Sequence, residues 1–174
     1  MDLLDFESGQ LYFDEPIDPV AKQAIEEAAE HYGEVRAEQQ LLRAYFLEPE
    51  HPLVLVALYR FFYYQHRLPD ALRVAERVLR ITARRLGLPQ DWRQLDEARL
   101  ASGVMASMTL LRFYMLALKG AGYLELRLGS YETALARLHK VAELDENDRL
   151  GAQALIDVAR ESIDKLNLPE TAEA

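Results

Sequence analysis

The 174-residue chain has no cysteine, which excludes disulfides, thiolate zinc sites, cysteine-ligated iron–sulfur clusters and cysteine nucleophiles. Chain breakers are also scarce, at eight glycines and seven prolines, so long stretches are free to be helical. No hydrophobic run is long enough to cross a bilayer. The most apolar stretch, Val104 to Leu118, is interrupted by Arg112 and followed by Lys119, and it reads as a buried helix. The opening Met1-Asp2-Leu3-Leu4-Asp5-Phe6-Glu7 is acidic where a secretory leader is basic, which makes the cytoplasm the expected compartment. The phosphate loop, nucleophile elbow and dinucleotide fingerprint are missing. The four histidines, His31, His51, His66 and His139, match no metal-binding spacing. Glu27 and His31, one helical turn apart, read as a surface pair. The chain is therefore expected to be non-enzymatic, with no catalytic residue, no metal and no cofactor.

Half of the residues are hydrophobic and good helix formers abound, which points to a single all-α domain. The net charge of −9 is unevenly spread. Residues 1–50 hold 13 acids and 3 bases, residues 51–127 hold 6 acids and 12 bases, and residues 128–174 hold 10 acids and 5 bases. The balances of −10, +6 and −5 leave two readings open: internal compensation, or an Arg-rich patch offered to an acidic partner. The low pI of about 5.0 argues against nucleic-acid binding.

The chain also carries a recurrence. Ala37, Ala71 and Ala134 each open an apolar helical pattern continued four and seven residues on, by Leu41 and Ala44, Ala75 and Val78, and Leu138 and Val141. Those offsets fall on one helix face. Ala37 and Ala71 stand 34 residues apart, the length of a two-helix repeat whose apolar faces need a neighbouring repeat to cover them. Asp18-Pro19 starts the first helix, which stops near Gly33, and its partner runs from about Glu34 to Leu47. In the second pair, Leu55, Leu58, Tyr59 and Phe62 mark the inner face of the first helix. His66 to Asp70 form the turn, with Asp70 as the expected N-cap, and Ala71 to about Arg85 form the second helix. The period then slips. An insertion over about 86–114 holds the turn Gly87 to Trp92, a short helix over Leu95 to Leu100, and Ser102-Gly103 ahead of a long helix from about Val104 to Leu128. Asp145 to Asp148 cap a final amphipathic helix, with Ala152, Leu155, Ile156 and Ala159 inside. The resulting domain spans 17–166, after an irregular segment over 1–16 and before a disordered tail over 167–174.

Gly122, Gly129, Tyr131, Ala134, Leu138 and Val141, followed by Leu144-Asp145-Glu146-Asn147, resemble the tetratricopeptide-repeat family. The fold implied is a tetratricopeptide-like helical hairpin array of about three helix pairs with a C-terminal capping helix. Four further runs, Gln10 to Pro16, Leu41 to Leu47, Leu58 to His66 and Arg84 to Pro89, resemble a narrower family, the nitrogenase-associated T factors of diazotrophic bacteria. That resemblance implies a non-catalytic accessory factor that binds the molybdenum–iron protein of nitrogenase during its maturation, repair or protection.

In tetratricopeptide arrays the first helix of each pair lines the concave groove. Arg60, Tyr63 and Tyr64, with Lys119, Tyr123 and Arg127, are the corresponding partner-binding candidates, since aromatic and guanidinium groups dominate interface energetics. The competing reading packs Tyr63 and Tyr64 against the inserted helix. Lys22 and Glu26 occupy the matching face of the first unit, where Glu26 would repel a peptide carboxylate, so a folded partner is expected rather than a peptide tail. Arg73, Arg77, Arg80 and Arg84 form a basic stripe that is either a solvated face or a dock for an acidic protein. Trp92 is either a local packing anchor or an exposed interface residue. The function expected is protein–protein interaction. The alternatives are a generic cytoplasmic adaptor for another complex, or a self-associating module in which acidic ends meet the basic middle of a second copy.

Overall fold

In the computed structural model, residue 13 and residues 15–167 are described. The irregular segment expected over 1–16 and the tail expected over 167–174 lie outside them, apart from Phe13, Glu15, Pro16 and Asn167. All regular structure among the described residues is helical: α1 (Pro19–Glu30), α2 (Val35–Leu47), α3 (Pro52–Tyr64), α4 (Leu68–Leu86), a 3-10 turn (Trp92–Gln94), α5 (Glu97–Ala106), α6 (Met108–Arg127), α7 (Tyr131–Leu144) and α8 (Ala152–Asn167).

Helix α1 begins where Asp18 accepts from the Val20 and Ala21 amides, at 2.7 and 3.2 Å, with Pro19 pre-set in the first turn. The α1–α2, α3–α4 and α6–α7 pairs form hairpins, joined in chain order through α2 on α3, α4 on α6 and α7 on α8. This is the expected helical hairpin array. The recurrent positions are its seams. Ala37, Ala44, Ala71, Ala75, Val78, Ala134, Leu138 and Val141 are fully buried, and Leu41 is 4% exposed. Gly122 marks the closest approach in the third hairpin: a Cβ there would lie 3.0 Å from Leu138 Cγ and 3.3 Å from Arg137 Cβ. Gly129 turns the chain into α7 at φ +78°, a conformation glycine adopts without steric penalty.

Three boundaries differ from the sequence-based expectation. Helix α4 starts at Leu68, with Arg67 as its N-cap. Asp70 therefore sits inside the first turn, bonded to Arg67 Nε and Arg73 Nη1, both at 2.8 Å. The inserted helix extends past Leu100 to Ala106, so Gly103 lies within α5 and not before α6. The chain breaks at Ser107, whose hydroxyl accepts from the Leu110 amide at 3.3 Å and starts α6. The stretch expected as one buried helix is thus split. Val104, Met105 and Met108 flank the break with 38%, 87% and 62% exposure, while Phe113 to Leu118 are buried.

Candidate interaction site

Helix α4 packs on both α3 and α6, so the opposite faces of α3 and α6 are bridged by long side chains. Tyr63 of α3 and Tyr123 of α6 meet there, their hydroxyls 3.1 Å apart and their rings tilted at 6.2 Å. Arg127 Nη1, one turn further along α6, donates to the Tyr123 hydroxyl at 3.0 Å, and this bond raises the Arg127 pKa. Tyr63 stacks on Tyr59 at 6.4 Å and meets Tyr64 edge-on at 5.5 Å. Tyr64 in turn meets Tyr32, beyond the end of α1, at 6.5 Å. Burial, with Tyr64 next, pushes the Tyr32 phenol up. A continuous row, Tyr32–Tyr64–Tyr63–Tyr123–Arg127, therefore crosses three hairpins on the face made by α1, α3 and α6.

Arg60 and Lys119 each lie about one helical turn N-terminal to a tyrosine of the row. Arg60 is half-buried and Lys119 is 6% exposed, while Tyr64 is 54% exposed and Arg127 exposed. The structure thus brings Tyr63, Tyr64, Tyr123 and Arg127 together, with Arg60 and the buried Lys119 about one turn away along their helices. Tyr63 and Tyr64 pack among the other tyrosines, whereas the inserted α5 packs on α6 and α4. Lys22 and Glu26 pair with each other at 3.9 Å. His31 bonds the Glu27 carbonyl through Nδ1 at 2.9 Å, and the Glu27 carboxylate accepts from Gln40 at 2.8 Å.

The charge imbalance along the sequence is largely reconciled within the fold. Arg67 pairs with Glu38 at 2.6 Å and Arg84 with Glu50 at 2.5 Å, while Arg85 pairs with Glu15. The Arg84 hydrogen bond lowers the Glu50 pKa. Of the basic stripe on α4, Arg73 holds Asp70, Arg84 holds Glu50 and Arg77 lies 5.7 Å over the Tyr45 ring, while Arg80 is exposed.

A search of protein-family models finds no match, and neither does a search of solved structures. A curated relative from Azotobacter chroococcum mcd 1, described as an uncharacterized 19.8 kDa protein in the nifW 5′ region, is 50% identical over 175 residues, covering 100% of this chain and 98% of its own length. The chain belongs to the family of that protein.

Two features of this family member were not visible as sites in the sequence. Arg137 of α7 is 7% exposed and bonds both Glu125 oxygens of α6, at 2.9 and 3.0 Å, and Glu76 of α4 at 2.7 Å. Trp92, 8% exposed, lies with its ring 5.3 Å from the Arg137 guanidinium and 4.3 Å from that of Arg93. It is a packing anchor that lids an ion-pair network. Burial, outweighing Arg137, pushes the Glu125 carboxyl up. A second feature is a cleft of about 590 Å³ that the insertion builds from Leu100 and Val104 of α5, Met108 and Met115 of α6, and Leu144, with Arg112 and Arg149 among its lining residues. Among the described residues no helix is long and apolar enough to cross a membrane.

Proposed function

We propose that this protein is a non-catalytic, cytoplasmic adaptor of tetratricopeptide type acting in nitrogen fixation, and that its α1–α3–α6 face holds a folded protein, the molybdenum–iron protein of nitrogenase. The observation that carries the reading is the Tyr32–Tyr64–Tyr63–Tyr123–Arg127 row. It combines rigid amphipathic rings with an ordered guanidinium, the side-chain types that dominate binding energy at interfaces. Tetratricopeptide character is supported by the nine buried seam positions at offsets 0, 4 and 7 from Ala37, Ala71 and Ala134, together with the close approach at Gly122. The nitrogen-fixation context is supported by the relative in the nifW 5′ region.

The test is capture of purified molybdenum–iron protein by the wild-type chain and by a Tyr63→Ala/Tyr123→Ala variant. The wild type is expected to retain the partner, and the variant to lose at least about tenfold in affinity, since removing two interface aromatics typically exceeds 1.4 kcal/mol. The helical circular-dichroism signal should stay unchanged. Equal capture by both proteins rejects the face, and no capture by the wild type rejects the partner.

A second reading, self-association, is favoured by one observation. Helix α2 exposes Val35 at 77%, Leu42 at 47% and Phe46 at 85% along one side, an apolar stripe of the kind that marks interfaces. Light scattering over a concentration series decides it. A mass that rises with concentration and falls back in Phe46→Ser supports this reading, and a constant monomer mass removes it.

A further inference from the structure

We propose that the exposed side of α2 is the contact between two copies of this chain, which lie parallel and in register along Val35, Gln39, Leu42 and Phe46. The proposal rests on the self-association reading of α2 and adds to it the direction and register of the pair and the residues that set them.

Spacing provides the first argument. Ala37, Leu41 and Ala44 bury one side of α2, which packs on α1 and α3. The opposite side carries Val35, Gln39, Leu42 and Phe46, and all four are exposed, Val35 and Phe46 almost fully. Steps of four, three and four residues are those of a coiled-coil seam, with Val35 and Leu42 at the d positions and Gln39 and Phe46 at the a positions. A seam of that period fits a second helix laid along it, and the same helix of another copy matches it in length. A single polar residue at an a position, as Gln39 is, costs stability but fixes the register, because its amide is best satisfied by its own counterpart across the pair.

Charge provides the second, and it sets the direction. Arg36 and Arg43 flank the seam on one edge and Glu38 on the other, the e and g positions of the same heptads. In a parallel pair the g residue of one copy faces the e residue five positions later in the other, which sets Glu38 against Arg43, twice by symmetry. In an antiparallel pair e faces e, and arginine meets arginine. Arg43 is exposed and makes no ion pair among the described residues. Glu38 gives Oε1 to Arg67 at 2.6 Å, which leaves Oε2 for Arg43 of the second copy. Asp70 holds two arginines in this way, one on each oxygen.

The direction of the pair bears on the tyrosine row. Tyr32, where the row begins, is 52% exposed and lies three residues before Val35, in the turn into α2. A parallel pair brings the starts of the two rows to the same end of the contact, so that one dimer offers two candidate faces from one edge. An antiparallel pair would separate them by the length of α2, about 20 Å. A single helix of 13 residues makes a contact below the roughly 1,200 Å² of standard interfaces, so monomer and dimer are expected to exchange.

The chain has no cysteine, so a cysteine placed on the seam of the full-length protein reports its neighbour by disulfide trapping. Val35→Cys and Leu42→Cys stand about 10 Å apart along the helix, and Glu161→Cys, at an exposed position of α8, measures chance collision. Under copper–phenanthroline oxidation each seam variant alone is expected to form a disulfide dimer at least about tenfold faster than Glu161→Cys, because bridged Cα atoms must lie within about 7 Å. Adding Arg43→Glu should slow both about fivefold, as for two exposed ion pairs lost, with the helical circular-dichroism signal unchanged. A link in only one seam variant, or only in a mixture of the two, means an antiparallel pair and overturns the proposal. Collision-level rates in both variants, or an unchanged rate with Arg43→Glu, also overturn it. A mixture-only link leaves self-association standing, whereas a constant monomer mass in light scattering removes it, so the two failures are distinguishable.

Discussion

At the scale of single residues, the buried Arg137 guanidinium is held by Glu125 and Glu76 and covered by Trp92. Removing one member of a buried pair leaves an uncompensated charge, whereas replacing both by apolar residues is often neutral. Arg137→Met is expected to lose roughly 3–5 kcal/mol in urea denaturation, and Glu125→Met/Arg137→Met to recover most of it. The pH dependence has a definite sign. Burial raises the Glu125 carboxyl above its ordinary 4.5, so the folded state binds this proton more tightly than the unfolded state does. That stabilisation is complete below 4.5 and is lost as pH rises through the raised value. Glu125→Gln should abolish this decline, so the difference between its urea midpoint and that of the wild type, followed from acid to neutral pH, must change across the window. A flat difference would show that Arg137 holds Glu125 ionised throughout. Gly122 gives a steric counterpart. A Cβ there would lie 3.0 Å from Leu138 Cγ, so Gly122→Ala should lose up to about 2 kcal/mol, an overpacking penalty reduced by about 1 kcal/mol of helix propensity.

At the scale of elements, what could be read in advance depended on whether the determinant was local. Asp18-Pro19 is a local cap and α1 starts there. The recurrent alanines report a face that repeats within each helix, and every one is buried. Asp70 misled because it resembles a cap, but Leu68 and Pro69 already lie in the first turn and Arg67 and Arg73 engage its carboxylate. Gly103 misled because glycine usually ends helices, whereas here it lies inside α5 with Leu111 and Leu88 against it. The Arg137–Glu125–Glu76 network was not legible, since three separate helices bring its members together. For the candidate face, aromatic and cationic residues on first helices pointed to Tyr63, Tyr64 and Tyr123. Tyr32 escaped because it lies beyond α1, in the turn before Gly33. The break between α5 and α6 makes its own prediction: Ser107→Ala should cost about 1 kcal/mol as a lost N-cap, with faster hydrogen exchange in the first turn of α6 and none in α7. Equal exchange in both proteins would mean that packing of Leu111, and not the Leu110 amide bond, sets where α6 begins.

At the scale of the whole molecule, the connectivity is close to one-dimensional: each hairpin packs on the next in chain order, and the final helix packs on α7 with a lesser contact to α6. In such an array stability is a sum of unit and nearest-neighbour terms, so damage at one end need not propagate. Helix α8 offers the sharpest test, because it buries Ala152, Ile156 and Ala159 while leaving Asp157, Arg160, Glu161 and Asp164 in water. Placing a carboxylate at the fully buried Ile156 forces the helix to leave its seat, since an unpaired buried charge costs several kcal/mol. In Ile156→Asp, hydrogen exchange should become fast throughout residues 152–167 and moderately faster in α7, whose Ala134 side is uncovered, while α1 to α4 keep wild-type protection. A single globular core predicts the opposite, with protection falling together in all helices. Retained protection in α1 to α4 also means that the Tyr32–Tyr64–Tyr63 part of the row keeps its arrangement in this variant while α8 is melted.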